Sequence, residues 1–325
     1  MAIRRKAIAS ALAVAAVATG VLLAWLGHPE KQENQITMSA SSKSTLAYQI
    51  YAYGQEKGIF DKHGVNVTFI PLKDLYTMEL TFFSGKVDTI INSAGLSAVS
   101  YNEGEKFKIG IAIARSGDLM LLAQPGIADV QDLRGRKLGV QGRTSDAYYI
   151  IKWWLESKGI DIENDLEVIE IKSGANLVTS FKTGQLDAAV LWSGYAYEVK
   201  SSGGIPVIST SDALEELTDV PHYNALLLFR DDFLENKKSV ANKFLRAVRE
   251  ITEEMNANID EAAEIAARQS EEPLEKVRGV LSATTIVGDL DEEIQDEILS
   301  FFRYAAEKGY FDKAPGSEIF YDEWR

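Results

Sequence analysis

The stretch Phe181-Lys-Thr-Gly-Gln-Leu-Asp-Ala-Ala-Val-Leu-Trp-Ser-Gly194 decides the fold, because the chain carries a second version of it. The other version is Phe82-Phe-Ser-Gly-Lys-Val-Asp-Thr-Ile-Ile-Asn-Ser-Ala-Gly95, with Phe, Gly, Asp and Gly at matching positions. Glycine suits the left-handed residue that ends a helix, and a short apolar run after it is typical of a buried strand. Each copy therefore predicts a helix end, a turn, and a strand that opens onto small polar residues.

The repeat extends upstream in the same register. A predicted helix from Ser44 to Gly58 precedes the first copy, and one from Ser145 to Gly159 precedes the second. Each helix is followed by a predicted strand, at 65–70 and at 166–171. Because these elements recur in the same order, the sequence predicts two homologous α/β lobes that face each other. Ligands of open α/β sheets bind where the strands emerge.

Composition restricts the function. The chain has 325 residues, enough for two domains, with a net charge of −14, three histidines and no cysteine. This charge argues against a nucleic-acid partner, since phosphate binding needs a basic face. The lack of cysteine excludes thiolate catalysis, disulfides and Cys-ligated zinc.

The first 35 residues form a separate unit. Arg4, Arg5 and Lys6 precede an apolar run from Ala7 to Gly27. A basic head and an apolar body are typical of an export signal, and the run approaches the roughly 20 residues that span a bilayer. We expect an export signal or N-terminal membrane anchor plus a linker in 1–35. The body would then work outside the cytoplasm, in the periplasm or on the outer face of the cytoplasmic membrane, and would touch the membrane through this segment only.

Several motifs carry a family resemblance. Asp132-Leu-Arg-Gly-Arg-Lys-Leu-Gly-Val-Gln141 resembles the "DLKGKKIGV" signature of periplasmic substrate-binding proteins of the nitrate/sulfonate/taurine (NMT1/THI5-like) type. Glu56–Lys62, Gly184–Asp187 and Trp192–Tyr195 resemble that family's "GFFKKEGL", "AGQVDA" and "WDPY" segments. The resemblance covers nearly everything after residue 36.

This resemblance implies a two-lobed type II periplasmic binding protein fold of the α/β class, with two hinge crossings. Lobe 1 would be 36–123 and 223–325, and lobe 2 would be 124–222. The crossing segments would be Leu119–Ala123 and Asn224–Phe229, with the ligand in the cleft between the lobes. The implied partner is the permease of an ABC importer, and we expect a monomer with no cofactor and no metal.

Candidate ligand-binding residues lie at predicted strand ends and helix starts, where N–H groups and the positive helix end favour anions. Thr144 and Ser145 match the family's ligand-binding segment by position. Trp192 ends a strand at the cleft rim, whereas Trp153 and Trp154 are expected in the core. The predicted ligand-binding residues are Ser42, Lys43, Ser44, Asn92, Ser93, Arg115, Ser116, Arg143, Thr144, Ser145, Trp192, Tyr195 and Tyr223.

The ligand itself stays open between alternatives. Two guanidinium groups and several helix starts predict a small anionic ligand, similar to a sulfonate, nitrate or taurine. The segment Asn92-Ser-Ala-Gly-Leu96 lacks the acid and proline seen in sulfonate binders, so a heteroaromatic thiamine-pyrimidine precursor is the alternative. An enzyme of pyrimidine-precursor synthesis is a further alternative. Such enzymes rely on a Cys-rich segment and histidines that are absent here, so we expect binding rather than catalysis.

Overall fold

The computed structural model describes residues 34–40, 43, 45–72, 75–116 and 119–325, without the side chains of Ser116 and Ser193. The strands are β1 Gln35–Ala40, β2 Asn66–Pro71, β3 Thr89–Asn92, β4 Phe107–Ser116, β5 Met120–Ala123, β6 Lys137–Val140, β7 Glu167–Glu170, β8 Ala188–Leu191, β9 Ile205–Ser209, β10 Tyr223–Arg230 and β11 Thr284–Asp289. The helices are α1 Leu46–Glu56, α2 Ile59–Lys62, α3 Leu75–Phe83, α4 Ala94–Asn102, α5 Asp146–Ser157, α6 Gly174–Lys182, α7 Ser193–Ser201, α8 Thr210–Thr218, α9 Asp231–Ala257, α10 Ile259–Ser270, α11 Leu274–Ala283 and α12 Glu292–Glu307.

The strands form two sheets with matching topology. The first sheet has the order β11-β4-β10-β3-β1-β2, and the second has the order β7-β6-β8-β5-β9. In each sheet three strands are parallel (β2, β1 and β3; β7, β6 and β8), and an antiparallel strand follows them (β10; β5). The two predicted α/β lobes are therefore confirmed as two sheets with the same internal plan.

Positions that are identical in the two copies of the repeat have the same structural role in both sheets. Gly85 and Gly184 adopt left-handed backbone angles, with φ of 78° and 72°, at the turns after α3 and α6. Asp88 Oδ2 accepts a hydrogen bond from the Thr37 N–H at 2.7 Å, and Asp187 Oδ2 accepts one from the Lys137 N–H at 2.9 Å. Each aspartate therefore ties the third strand of its lobe to the first strand, which explains why it occurs in both copies.

The chain crosses between the two lobes twice. The chain leaves the first sheet at the end of β4, and β5 pairs along its whole length with β8 and β9 of the second sheet. It returns through β10, which pairs with β3 and β4 of the first sheet. By strand pairing, Met120–Ala123 groups with the second sheet, although the sequence division counted these residues with lobe 1.

The helix boundaries differ little from those expected. α5 begins after an N-cap at Ser145, whose hydroxyl accepts from the Tyr148 N–H, as predicted. α1 has its N-cap at Thr45 rather than at Ser44.

Trp153 and Trp154 are buried in the expected packing positions, with 4% and 6% of their surfaces exposed. The apolar cluster that holds them contains residues from both lobes, so the lobes are in contact in this conformation.

No helix in the described part of the chain is long and apolar enough to cross a membrane. The predicted export signal or anchor, with its linker up to residue 33, lies outside the described residues.

Candidate functional site

The candidate site lies between the carboxyl edges of the two sheets, a space that we call the cleft. In lobe 1, α1 and α4 begin after β1 and β3; in lobe 2, α5 and α7 begin after β6 and β8. The repeat therefore makes α1 the counterpart of α5, and α4 the counterpart of α7. A helix start carries unpaired N–H groups and a partial positive charge, so all four starts can attract acceptor or anionic groups.

One pair of helix starts meets directly. The Gly95 N–H in the first turn of α4 donates to Asp146 Oδ2, at 3.3 Å, and Asp146 is the first residue of α5. The second carboxylate oxygen of Asp146 accepts from the Ala147 N–H of its own helix at 3.0 Å. A carboxylate from lobe 2 thus occupies the start of a lobe 1 helix.

The Asp146 carboxylate continues into a buried hydrogen-bond chain. His222 Nε2 lies 2.9 Å from Asp146 Oδ2, and His222 Nδ1 lies 3.0 Å from Thr210 Oγ1. Burial alone would raise the pKa of Asp146, but His222, Ser93 and the Gly95 N–H together hold this pKa below its ordinary value. The carboxylate is therefore ionised, so His222 donates to it from Nε2.

Arg115 belongs to a second polar cluster at the ends of β4 and β10. Its guanidinium donates to the Tyr223 hydroxyl at 2.9 Å and to Glu297 Oε2 of α12 at 2.7 Å. Tyr223 also donates to Glu297 at 2.5 Å, and burial together with this carboxylate raises the pKa of Tyr223 well above its ordinary value. The structure thus brings the predicted residues Arg115 and Tyr223 together, with Glu297 as a partner that the sequence did not indicate.

Asn92 and Ser93 lie at the end of β3, next to α3. The Asn92 amide donates to Glu79 Oε1 at 2.8 Å, and its oxygen accepts from the Ser93 N–H at 3.0 Å. Burial raises the pKa of Glu79, an effect that the hydrogen bond from Asn92 reduces. Ser93 caps α4 by accepting from the Leu96 N–H. Both predicted residues therefore shape the start of α4.

The predicted lobe 2 segment is held largely by its own lobe. Arg143 donates to Glu163 Oε2 at 2.5 Å and to the Val168 carbonyl at 3.0 Å. Ser145 caps α5, as the previous subsection describes. Thr144 is exposed, and its carbonyl accepts a 2.8 Å hydrogen bond from the Tyr310 hydroxyl.

Aromatic rings flank the helix starts of lobe 2. Trp192 is the N-cap residue of α7, and its ring meets Tyr195 edge-on with centroids 5.2 Å apart. On the other side, Tyr149 of α5 stacks on Tyr310, which follows α12, with centroids 4.1 Å apart. The C-terminal part of the chain therefore contacts lobe 2 beside the Asp146 contact.

The remaining predicted residues are only partly described. Lys43 is exposed, and its ammonium lies 5.6 Å from the centroid of the Tyr48 ring. Ser42 and Ser44 lie outside the described residues, as does the side chain of Ser116. Within the described ranges, no three His, Asp or Glu side chains come together in an arrangement that could hold a metal ion.

The sequence reading missed the residues that pair with the predicted ones. Five residues of the site were not predicted, because each is paired with a residue on a different element of the chain. They are Asp146, His222, Glu297, Glu79 and Tyr310. The available signal was the position of Asp146 directly after an N-cap serine. That position is equally typical of an ordinary acidic residue in a first helical turn.

The chain is similar to known proteins in sequence and in structure. A family model described as NMT1/THI5 like matches residues 47–262. A protein of Brucella abortus named "Putative binding protein" is 23% identical over 222 residues, which cover 67% of this chain and 66% of the relative. The match thus spans slightly less than two thirds of the relative's length.

Two solved structures show the fold. The periplasmic aliphatic sulphonate binding protein SsuA from Escherichia coli matches with a TM-score of 0.69 at 14% identity, over 86% of this chain and 94% of that chain. The desulfurization enzyme DSZB matches with a TM-score of 0.67 at 13% identity, over 90% of this chain and 97% of that chain. At these identities the likeness establishes the periplasmic binding protein fold alone, and this fold is found in a binding protein and in an enzyme.

Proposed function

The chain belongs to the NMT1/THI5-like family, and on that premise we propose that it is an extracytoplasmic solute-binding protein. It captures a small ligand in the cleft by closure of the two lobes and delivers it to the permease of an ABC importer. Its place is the periplasm or the outer face of the cytoplasmic membrane, with the segment before residue 36 as signal or anchor. It acts as a monomer.

One observation carries this proposal: the start of α4 binds a carboxylate of the opposite lobe. The Gly95 N–H and Asp146 lie 3.3 Å apart across the cleft. Each lobe repeats the same plan, so the start of α7 is the counterpart of the start of α4. A helix start of lobe 2 can therefore bind an anionic group as the helix start of lobe 1 binds Asp146.

The symmetry also supports an anionic ligand. In the repeat, Asp146 at the start of α5 corresponds to Thr45 at the start of α1, which brings no charge. The N-cap residue of α7 is Trp192, whose side chain makes no capping hydrogen bond to the N–H groups of the first turn. We assign the ligand's anionic group, a sulfonate or a similar group, to the start of α7, opposite α1. SsuA of Escherichia coli, which has the same fold, is named as an aliphatic sulphonate binding protein.

We assign each predicted residue a role in the proposed site. Trp192 and Tyr195 form an aromatic wall beside the start of α7. We propose Ser42, Lys43, Ser44 and Ser116 as further ligand contacts, as the sequence predicts. Arg115 and Tyr223 form the floor of the cleft at the end of β4. Asn92, Ser93, Thr144 and Ser145 order the helix starts. Arg143 is committed to Glu163 and Val168 in this conformation, so we assign it a structural role in lobe 2.

A second ligand class is favoured by the carboxylates near the cleft. Glu79 and Glu297 both face polar partners there, and Arg115 is neutralised by Glu297. A ring compound with N–H donors, such as an aminopyrimidine, would suit these acceptors and would stack on Trp192. The two classes differ in charge, so they can be separated directly.

Among the described residues, one group of side chains has the order of a catalytic triad. Thr210, His222 and Asp146 follow one another as a hydroxyl, an imidazole and a carboxylate, which is the order of a nucleophile, its base and the orienting acid. However, Thr210 and His222 expose 0% of their surfaces, and Asp146 exposes 3%. A substrate cannot reach a nucleophile with no exposed surface, so we interpret this chain of hydrogen bonds as structural.

A thermal-shift panel tests the function and the ligand class together. The compounds are taurine, hexanesulfonate, nitrate, acetate and 4-amino-5-hydroxymethyl-2-methylpyrimidine. A ligand at 100 times its dissociation constant stabilises the folded state by about 2.7 kcal/mol, which raises the melting temperature by several degrees. We expect a sulfonate to give the largest rise, and Trp192→Ala to reduce it.

Ile205→Ala is the control, because Ile205 has 45% of its surface exposed and lies at the start of β9, at the edge of the second sheet opposite the cleft. This control should melt and respond to the panel as the parent does. If only the pyrimidine raised the melting temperature, the ligand would belong to the second class, and the proposal of an anionic ligand would be wrong. A panel that leaves the melting temperature of the parent unchanged throughout would contradict the proposed function.

A further inference from the structure

The last glycine of the repeat occupies an unusual place in lobe 1. Gly95 lies in the first turn of α4, one of the four repeat positions that agree between the lobes. A Cβ atom placed on Gly95 would lie 2.4 Å from Cβ of Asp146 and 2.7 Å from Cε1 of Tyr310. Asp146 belongs to lobe 2, so the space beside Gly95 is filled from across the cleft.

The backbone of Gly95 does not itself require glycine. Its φ angle lies outside the left-handed region, unlike those of Gly85 and Gly184. At such a helical position alanine is the better residue by about 0.5–1 kcal/mol. The need for glycine at 95 therefore comes from the side chains packed against it, and the nearer of these, Asp146, belongs to lobe 2.

The obstacle at this position is rigid. Cβ of Asp146 is fixed to its helix backbone, and the carboxylate beyond it is held by His222 and by the Gly95 N–H. The Tyr310 ring is stacked on Tyr149. The distance of 2.4 Å from a methyl group at 95 to Cβ of Asp146 is about 1 Å shorter than an ordinary van der Waals contact, which begins at 3.4 Å. Neither Asp146 nor Tyr310 can move away without disturbing its other contacts.

The equivalent glycine in lobe 2 has a softer neighbour. A Cβ atom on Gly194 would lie 2.4 Å from Cε of Lys276, near the end of a long side chain. Lys276 belongs to lobe 1 and is bound to Glu272 at 2.8 Å, one turn away, with 19% of its side chain exposed. Its long side chain can adopt other rotamers. Alanine at 194 therefore needs only a change of rotamer.

We propose that Gly95 is a positioning residue for lobe closure: Asp146 of lobe 2 packs against it when the lobes meet, so only glycine there permits the lobes to close fully. The inference rests on the proposed function for the statement that the lobes move. It predicts that Gly95→Ala keeps both lobes folded and holds them farther apart. Gly194→Ala, at the matching position, leaves closure intact.

The chain contains no cysteine, so two introduced cysteines can be labelled without further changes. Ser84→Cys and Thr183→Cys lie at exposed turns after α3 and α6, at the ends of the lobes away from the cleft. Spin labels at both sites report the separation of the lobes in the full-length protein by pulsed electron paramagnetic resonance. The distance distribution is measured in the parent, in Gly95→Ala and in Gly194→Ala, and far-ultraviolet circular dichroism checks the fold of each.

We expect Gly95→Ala to shift the distribution to longer distances, and Gly194→Ala to match the parent. Equal distributions in all three proteins would overturn the inference, as would equal shifts in both variants. Loss of the folded signal in Gly95→Ala would overturn it too, since the lobes themselves should accept alanine. Failure of the proposed function appears separately, as a parent that none of the panel compounds stabilises.

Discussion

The substitution His222→Leu tests the buried chain that joins the lobes. It removes the donor to Asp146 and leaves a carboxylate with 3% of its surface exposed beside an apolar side chain. A hydrogen bond to a charged group contributes about 1.5–3 kcal/mol, and breaking a buried pair on one side costs about 3–5 kcal/mol. We expect the free energy of unfolding at pH 7 to fall by about 3 kcal/mol, measured by urea denaturation.

The pH dependence of this loss identifies the carboxylate as its cause. In the parent, the pKa of Asp146 is held below its ordinary value of 3.8, so the carboxylate stabilises the fold above that pH and stops doing so under acid. Without His222, burial raises the pKa of Asp146, so protonation relieves the cost as the pH falls. The difference in stability between parent and variant should therefore be smaller at pH 5 than at pH 7.

Two further proteins complete the experiment. His63→Leu is the matched control, because His63 pairs with Glu250 at 2.8 Å on a partly exposed surface, and the loss there should stay within about 1 kcal/mol. The double variant His222→Leu with Asp146→Asn removes the unpaired charge and should recover at least about 1 kcal/mol. A loss below about 1 kcal/mol in His222→Leu, or an equal loss at pH 7 and pH 5, would refute the reasoning.

Three smaller predictions concern the repeat and the contact between the lobes. Asp88→Ala and Asp187→Ala each remove the acceptor that ties two strands, so each should cost about 1–3 kcal/mol in denaturant unfolding; an effect in one lobe alone would contradict the equivalence of the lobes. Tyr310→Phe loses the hydrogen bond to the Thr144 carbonyl and should lower stability by about 0.5–1.5 kcal/mol, measured in the same way, whereas an unchanged value would show that the bond contributes nothing. Gly184→Ala places a side chain at a φ of 72° and should cost about 1–2 kcal/mol, so a stabilised variant in thermal melts would be inconsistent with this turn.

The fold could be predicted because its signals are local and occur twice. A glycine that ends a helix, an aspartate before a short apolar strand and a serine before a helix each act within a few residues. Gly85 and Ser145 have the expected roles in the structure, and Asp88 directly precedes its strand as expected. Their recurrence at matching positions showed that the chain has two lobes before any contact between the lobes was known.

The site could be predicted only in part, because its charges are decided by distant partners. Arg115 stands at a strand end as expected, yet Glu297 lies 182 positions away in the chain. Asp146 and His222 are separated by 76 positions, and no local pattern relates them. Arg143 lies next to a helix start but pairs with Glu163 in its own lobe. A guanidinium in the right segment therefore indicates the place of a site more reliably than it indicates a free charge.

Ligand-induced compaction is the most direct test of the central claim, that two lobes close on a small molecule. Small-angle X-ray scattering of the full-length protein should be recorded alone and with the panel compound that raises the melting temperature most. The account predicts a smaller radius of gyration with the compound, and no such decrease in Trp192→Ala at the same concentration. An identical scattering curve with and without a compound that stabilises the protein would contradict the claim.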